Sequence, residues 1–307
     1  MFQVQTLTKR FGDLRAVDGI SFEVRRGELY GLLGPNGAGK TTTMSMLSGL
    51  LAPDEGRILF DGVDLAAKPL EVKARLGVVP QEPALYASLS ARENLRFWAG
   101  LYGLTGAARD KAVDRVLEET GLAGRAKEPV KNFSGGMKRR LNLGIGLVHR
   151  PQAVLMDEPT VGIDVQARLN ILQVVRDVAA AGTTVLYTTH YLEEVETLCD
   201  RIAIMDHGKI LAEGTLDALK KQVGGKDLLT ITGSFDAEAA RQAGAIDGAQ
   251  VVAAENGRLL LSVEGGRGAV EALTAILASK LGAEGITIQP PSLSTLFLNL
   301  TGRELRD

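Results

Sequence analysis

The sequence predicts an α/β protein with a mostly parallel core sheet, an antiparallel β subdomain, a helical subdomain and a small C-terminal α+β domain. Three observations carry this. A short apolar strand runs through a Gly-rich loop into an apolar-periodic helix between residues 27 and 51. Buried-strand runs AVLM, TTVLYTT and RIAIM follow Pro151, separated by helical stretches, which is the order of a parallel sheet with crossover helices. After a polar, Gly-rich stretch at 220–225 the rhythm changes, which marks a boundary between domains 1–220 and 221–307.

Taken in order, residues 3–27 alternate apolar and polar positions, and 57–65 repeat that habit around Asp61-Gly62, so both read as antiparallel strands. From Ser90 to Arg125 the apolar residues recur at helical spacing (Leu95, Trp98, Leu101 and Tyr102, then Val113, Val116 and Leu117), predicting a helical insert over about 88–150. Helices are expected at 165–181 and 192–198. The tail reads as strand 227–235, helix 237–243, strands 250–254 and 258–263, helix 268–281 and strand 286–289, a βαββαβ order that suggests a ferredoxin-like sandwich. A closing helix in SLSTLFLNLTG, with Gly302 just past its end, should lay Leu293, Leu296, Phe297 and Leu300 on the small sheet.

Composition narrows the function. The 307 residues carry 35 Lys and Arg against 37 Asp and Glu, a formal charge of −2, so no basic excess points to nucleic acid. Cys199 is the one cysteine, which excludes a disulfide framework within the chain and fits a reducing compartment. No apolar run approaches the roughly 18 residues that span a bilayer, so any membrane role is expected to come through docking on another polypeptide.

The segment Gly34-Pro35-Asn36-Gly37-Ala38-Gly39-Lys40-Thr41, followed by Thr42, fits G-x-x-x-x-G-K-[ST] between a strand and a helix. Its glycines let successive N–H groups form an anion nest, the helix start adds positive potential, and Lys40 supplies a cation for the β and γ phosphates. Thr41 is expected to hold Mg²⁺ through its hydroxyl. Asp157 and Glu158 emerge from the strand AVLM at the edge where ligands collect. Asp157 is placed to serve the metal through bound waters, and Glu158 to act as general base on the attacking water. His190 ends another strand; on residues alone it is either a structural histidine or a γ-phosphate contact. Ser134-Gly135-Gly136 opens a further helix, and its residues alone leave open an ordinary cap or an anion site.

Read in order, the phosphate loop, Gln81 in VVPQEP, FSGGM, MDEP, VGID around Asp164, and His190 resemble an ATP-binding cassette (ABC) ATPase over about residues 1–220. The resemblance implies a P-loop NTPase cassette that binds and hydrolyses ATP with Mg²⁺. It implies that Ser134, Gly135 and Gly136 close over the nucleotide of a second copy in a head-to-tail dimer, with Asp164 in the loop that communicates across it. It also implies that Phe11, with Val17 after it, meets adenine, and that Gln81 meets Mg²⁺ and the nucleophilic water; a lone Phe beside a strand is otherwise a packing residue. The usual LSGGQ departs here at Phe133 and Met137, so the polar amide normally at position 137 is missing.

The C-terminal ending resembles ATPase subunits of ABC-2-type exporters, a group that includes drug-resistance and sodium-extrusion systems. This implies a cytoplasmic subunit held at the membrane face by a separate permease, with the small domain either stabilising the cassette or sensing substrate. The alternative is a soluble cassette switch acting on ribosomes or DNA; the single uninterrupted cassette and the lack of a basic arm disfavour it. No N-K-x-D segment is present to read guanine.

Overall fold

A computed structural model describes residues 1–222, 226–233, 249–255, 258–264, 283–289 and 292–301. The chain divides into two compact units, Met1–Leu211 and Ala212–Asp307. The division falls ahead of the polar stretch at 220–225.

The first unit is built on two sheets. Strands β1 (Phe2–Phe11), β2 (Leu14–Val24), β4 (Glu55–Phe60) and β5 (Val63–Asp64) form an antiparallel sheet in the order β2-β1-β4-β5. Strands β3 (Leu29–Leu33), β6 (Leu76–Val79), β7 (Ala153–Asp157), β8 (Thr184–Thr189), β9 (Arg201–Asp206) and β10 (Lys209–Gly214) form the second, in the order β10-β9-β3-β8-β7-β6. The pairings of β3 with β8 and β9, β7 with β8, and β6 with β7 are parallel. Strands β3, β7 and β8 are buried at every residue, as expected where both faces of a parallel sheet are covered. The sequence pattern did not single out β6, a four-residue strand with a glycine inside it.

Helix α1 (Lys40–Leu47) lies between the two sheets, where Met44, Met46 and Leu47 share a core with Phe2, Phe22, Tyr30 and Phe60. After the short α2 (Pro69–Lys73) come α3 (Ala91–Leu101), α4 (Gly106–Glu119) and α5 (Gly135–Leu147), which make the helical subdomain. Leu95, Val113, Val116, Leu117 and Leu141 form its core, with Trp98 packed against it, whereas Leu101, part of the predicted series, is exposed. Ser90 and Glu93 close α3 with a capping box, each side chain bonding the other's backbone N–H. Helices α6 (Val165–Ala180) and α7 (Leu192–Leu198) cross between strands.

Helix α5 joins the helical subdomain to the sheet, and its glycines permit this. A Cβ on Gly77 of β6 would lie 2.1 Å from the Gly146 carbonyl, and one on Gly144 would lie 2.6 Å from Val116. Just past α5, the His149 ring stacks on Tyr102 at the end of α3, with centroids 3.5 Å apart and planes at 4°.

In the second unit, α8 (Leu216–Gln222) precedes β11 (Lys226–Gly233), β12 (Ala249–Glu255), β13 (Arg258–Glu264) and β14 (Ala283–Gln289). Their antiparallel order, β12-β13-β11-β14, is the one a ferredoxin-like sheet requires. The helices expected at 237–243 and 268–281, and Gly302, lie outside the described residues. The closing helix α9 (Leu293–Thr301) buries Leu293, Leu296 and Phe297, but the expected stripe is shifted: Leu298 packs on Leu228 and Leu260, and Leu300 is exposed. The apolar surface of α9 therefore runs to Leu298 in place of Leu300. Among the described residues no helix is long and apolar enough to cross a membrane.

Burial pushes His149 down to about 4, and the nearby Arg115 charge adds to the effect. The unfolded chain takes up this proton near pH 6.5, the folded chain only near 4, so the stability involved is full above about 6.5 and lost as the pH falls through that window. His149→Phe, which keeps an aromatic stack, is expected to flatten the loss of urea midpoint between pH 7 and pH 4.5.

Candidate functional site

Close backbone contacts dictate the shape of the loop between β3 and α1. Gly39 sits at φ 103°, and a Cβ there would lie 2.4 Å from the Ala16 carbonyl; one on Gly34 would lie 2.2 Å from the Met205 carbonyl. Only glycine lets the loop pass between these neighbours. The first helical N–H groups of Lys40, Thr41 and Thr42 have no intrahelical acceptor, whereas Thr43 donates to Gly39.

Lys40 is buried, 4% exposed. Its Nζ donates to the carbonyls of Gly34 (2.7 Å) and Pro35 (3.0 Å) and pairs with Glu158 Oε1 at 2.9 Å. Glu158 follows β7 at φ 44°, a strained conformation for a glutamate, held by donation of its N–H to Thr188 Oγ1 (3.0 Å). Its Oε2 accepts from Gln81 Nε2 at 3.2 Å, and His190 Nδ1 lies 3.3 Å from Oε1 without the alignment of a hydrogen bond. Asp157 accepts from Thr188 Oγ1 at 2.6 Å. Burial raises its pKa, opposed by hydrogen bonds from Thr188 and Thr41 and helped by the Glu158 charge. Two buried carboxylates face one buried ammonium, a set that favours further positive charge. Thr41, Asp157 and the amide oxygen of Gln81 are the side-chain groups here able to take part in holding a divalent cation. Among the described residues no three His, Cys, Asp or Glu side chains cluster as a metal cage, so phosphate oxygens and water would supply the other ligands, as suits Mg²⁺.

A cavity of about 610 Å³ is lined by Phe11, Asn36, Gly37, Gly39, Lys40, Thr41, Thr42, Gln81 and Glu158. Phe11 is half exposed at the cavity and so is not a core residue. Val17 is fully buried among Phe2, Leu7 and Ile20 and is not on this surface; it supports the strand from behind. Ala38 is likewise buried, leaving its backbone as the part that shapes the loop.

Ser134, Gly135 and Asp164 do not line the cavity. Ser134 is exposed and caps α5 by accepting from Met137 N (3.3 Å), and Asp164 is exposed and caps α6 by accepting from Ala167 N (2.9 Å). A Cβ on Gly136 would lie 2.6 Å from that of Ala167, so the two helix starts lie side by side, whereas Gly135 faces open space. Phe133 is buried in the helical core and Met137 packs against it, so both departures from LSGGQ serve packing.

Leu14, Arg15, His207 and Gly208 also line the cavity and were missed, because a hairpin turn distant in sequence brings His207 to the loop. The Gln81 segment is held by residues no motif names. Arg139 donates to the carbonyls of Gln81 and Val161 (3.0 Å), and Asn142 donates to Pro80 O (3.0 Å) and accepts from Ala84 N (3.2 Å). Burial lowers the Arg139 pKa, countered by Glu158 and Glu82.

Residues 17–161 match the family model described as ABC transporter. Over the full length of both proteins the chain is 44% identical to the linearmycin resistance ATP-binding protein LnrL of Bacillus subtilis (strain 168). It is 40% identical to the daunorubicin resistance ATP-binding protein DrrA3 of Streptomyces coeruleorubidus, covering 97% of this chain and 95% of that protein. The chain belongs to the ABC transporter family. A solved ATP-binding subunit of an ABC transporter superposes with a TM-score of 0.67 at 32% identity, covering 73% of this chain and 93% of the other. The mixed α/β architecture is that of ABC ATPase cassettes.

Asp157 carries a carboxyl pKa above its unfolded value, so folding with this group ionised is unfavourable, and the penalty is relieved as the pH falls through the raised pKa. Asp157→Asn is expected to raise the Tm of the nucleotide-free protein at pH 7. The gain should shrink on acidification in a calorimetric pH series.

Proposed function

We propose that this chain is the ATP-hydrolysing subunit of a membrane exporter, working as a nucleotide-sandwich homodimer on a separate permease at the cytoplasmic face. The observation that carries the reading is an asymmetry. Lys40, Thr41, Glu158 and Gln81 line the pocket, with Asp157 buried next to Glu158, while Ser134 and Gly135 at the exposed start of α5 do not line it. A helix start of that kind suits the uncovered side of a triphosphate bound to another copy. Names of relatives that specify drug resistance support export over action on ribosomes or DNA.

Within each pocket the phosphate-loop N–H groups and Lys40 hold the β and γ phosphates, and Phe11 offers its exposed ring to adenine. Mg²⁺, held by Thr41 and through water by Asp157, would neutralise charge on the phosphate oxygens. Gln81 orients the attacking water, and Glu158 accepts its proton as the water oxygen attacks the γ-phosphorus. The bond to the bridging oxygen then breaks, and the electron pair leaves on ADP. His190, beside Glu158, contacts the transferred phosphoryl group. Loss of the γ-phosphate removes the charge that α5 of the second copy binds, so the copies separate and the permease is reset.

Between α2, β6 and the end of α3 lies an apolar groove lined by Leu50, Leu70, Leu76, Val78 and Leu101, close in sequence to Gln81. It offers the permease a surface for a cytoplasmic helix.

Glu158→Gln is expected to lose about 10²- to 10⁴-fold in turnover while binding ATP. By light scattering it should form a dimer with saturating ATP and Mg²⁺, and Lys40→Ala, which loses the phosphate cation, should stay monomeric. A monomeric Glu158→Gln protein under those conditions would contradict the sandwich.

A further inference from the structure

Glu194 is a buried carboxylate that neither binds nucleotide nor packs in an apolar core. Its side chain is 2% exposed. Oε1 accepts from Thr160 Oγ1 at 2.7 Å, and Oε2 accepts from Thr189 Oγ1 at 2.7 Å and from the Tyr187 hydroxyl at 2.9 Å. The Arg168 guanidinium approaches Oε1 no closer than 3.8 Å and stacks on the Tyr191 ring at 4.1 Å. Burial pushes the Tyr187 hydroxyl well above its usual pKa, and the Glu194 charge adds to this, so the phenol keeps its proton and donates it.

The donors come from the segment after β7, which carries Thr160, and from the end of β8, which carries Tyr187 and Thr189. Thr160 lies two residues after Glu158, on the segment that leads to Asp164. Thr189 immediately precedes His190 and also accepts from the Tyr191 N–H at 3.0 Å. Arg168 sits one turn beyond Asp164 on α6, with its N–H bonded to the Asp164 carbonyl at 2.9 Å. A carboxylate buried at this depth is costly, and a well-packed apolar side chain would fill the space at lower cost. Its three hydroxyl bonds instead make the segment after β7 and the end of β8 share one carboxylate.

We propose that Glu194 is a positioning residue that locks the segment from Glu158 to Asp164 to the segment carrying His190, so that displacement of one is transmitted to the other. The proposal rests on the reading that Glu158 and His190, side by side, act at the γ-phosphate. When Thr160 moves with its loop, Glu194 shifts with it and carries Thr189, and His190 follows. Contact made at the exposed Asp164 end thereby sets the position of the histidine beside Glu158.

The test is a double-mutant cycle on the full-length protein with Thr160→Val and Thr189→Val, which do not bond each other and both donate to Glu194, Thr160 to Oε1 and Thr189 to Oε2. Steady-state ATPase is measured with MgATP, and melting temperature confirms folding. Each valine variant is expected to lower kcat about 3- to 30-fold with KM held within about twofold, and serine at either position, which keeps the hydroxyl, is expected to restore kcat. The double variant should fall short of the product of the single effects by about threefold or more, and this coupling should vanish in a Glu194→Gln background. If Thr189→Val does not fold, Tyr187→Phe, which removes a donor to the same oxygen, takes its place. Multiplicative effects, an unchanged kcat, or a change confined to KM would overturn the proposal. His190→Ala serves as the separate control: retained turnover there would defeat the reading of the site itself, whereas lost turnover with an additive cycle would defeat only the role of Glu194.

Discussion

The site depends on a buried ammonium. Lys40 is removed from water at the start of α1 and held by two loop carbonyls and Glu158. Burying that charge is tolerable only with partners in place, and the partners require the loop to fold back over the lysine. The loop in turn must clear the backbones of Ala16 and Met205, which glycine alone allows at positions 34 and 39. The same geometry leaves the N–H groups of the first helical turn without internal acceptors. Fold and phosphate binding are consequently one constraint: the contacts that make the loop stable are those that aim its donors into the pocket.

Helix α5 transmits whatever happens there. Its first turn presents Ser134 and Gly135 to solvent, its middle holds the Gln81 loop through Arg139 and Asn142, and its last turns press on β6 through Gly146. A rigid helix carries all three parts together. Rotation of the helical subdomain would therefore shift Gln81 against Glu158 and change the angle of the Ser134 turn in one motion. The apolar groove beside Leu101 and Val78 lies against the same subdomain, so a partner seated there would act on the pocket through α5.

Much of this could be read from sequence where chemistry is packed into short spacing. The phosphate loop, the Asp157-Glu158 pair at the end of an apolar strand, and His190 at the end of another each carry their context with them. The parallel sheet and the order of the small sheet followed from apolar runs and turn residues. What could not be read depends on residues meeting across the fold. Arg139 looks like one of three consecutive basic residues, yet it alone of these reaches the Gln81 carbonyl. Asn142 and Glu194 are polar residues in apolar-periodic helices, and their partners lie on other elements. Leu300 differs for a related reason, since periodicity gives the apolar face of an element but not which of its borderline positions tertiary packing covers, and Val17, assigned to the adenine surface by resemblance alone, is fully buried.

The central claim is that the pocket of one copy is completed by the α5 start of another. It is tested most directly by a structure of the Glu158→Gln protein with ATP and Mg²⁺. The account predicts that the Ser134 hydroxyl and the N–H groups beside it, from a second copy, lie within hydrogen-bond distance of the γ-phosphate held by Lys40. A γ-phosphate enclosed by its own chain alone, with Ser134 still facing solvent, would contradict it.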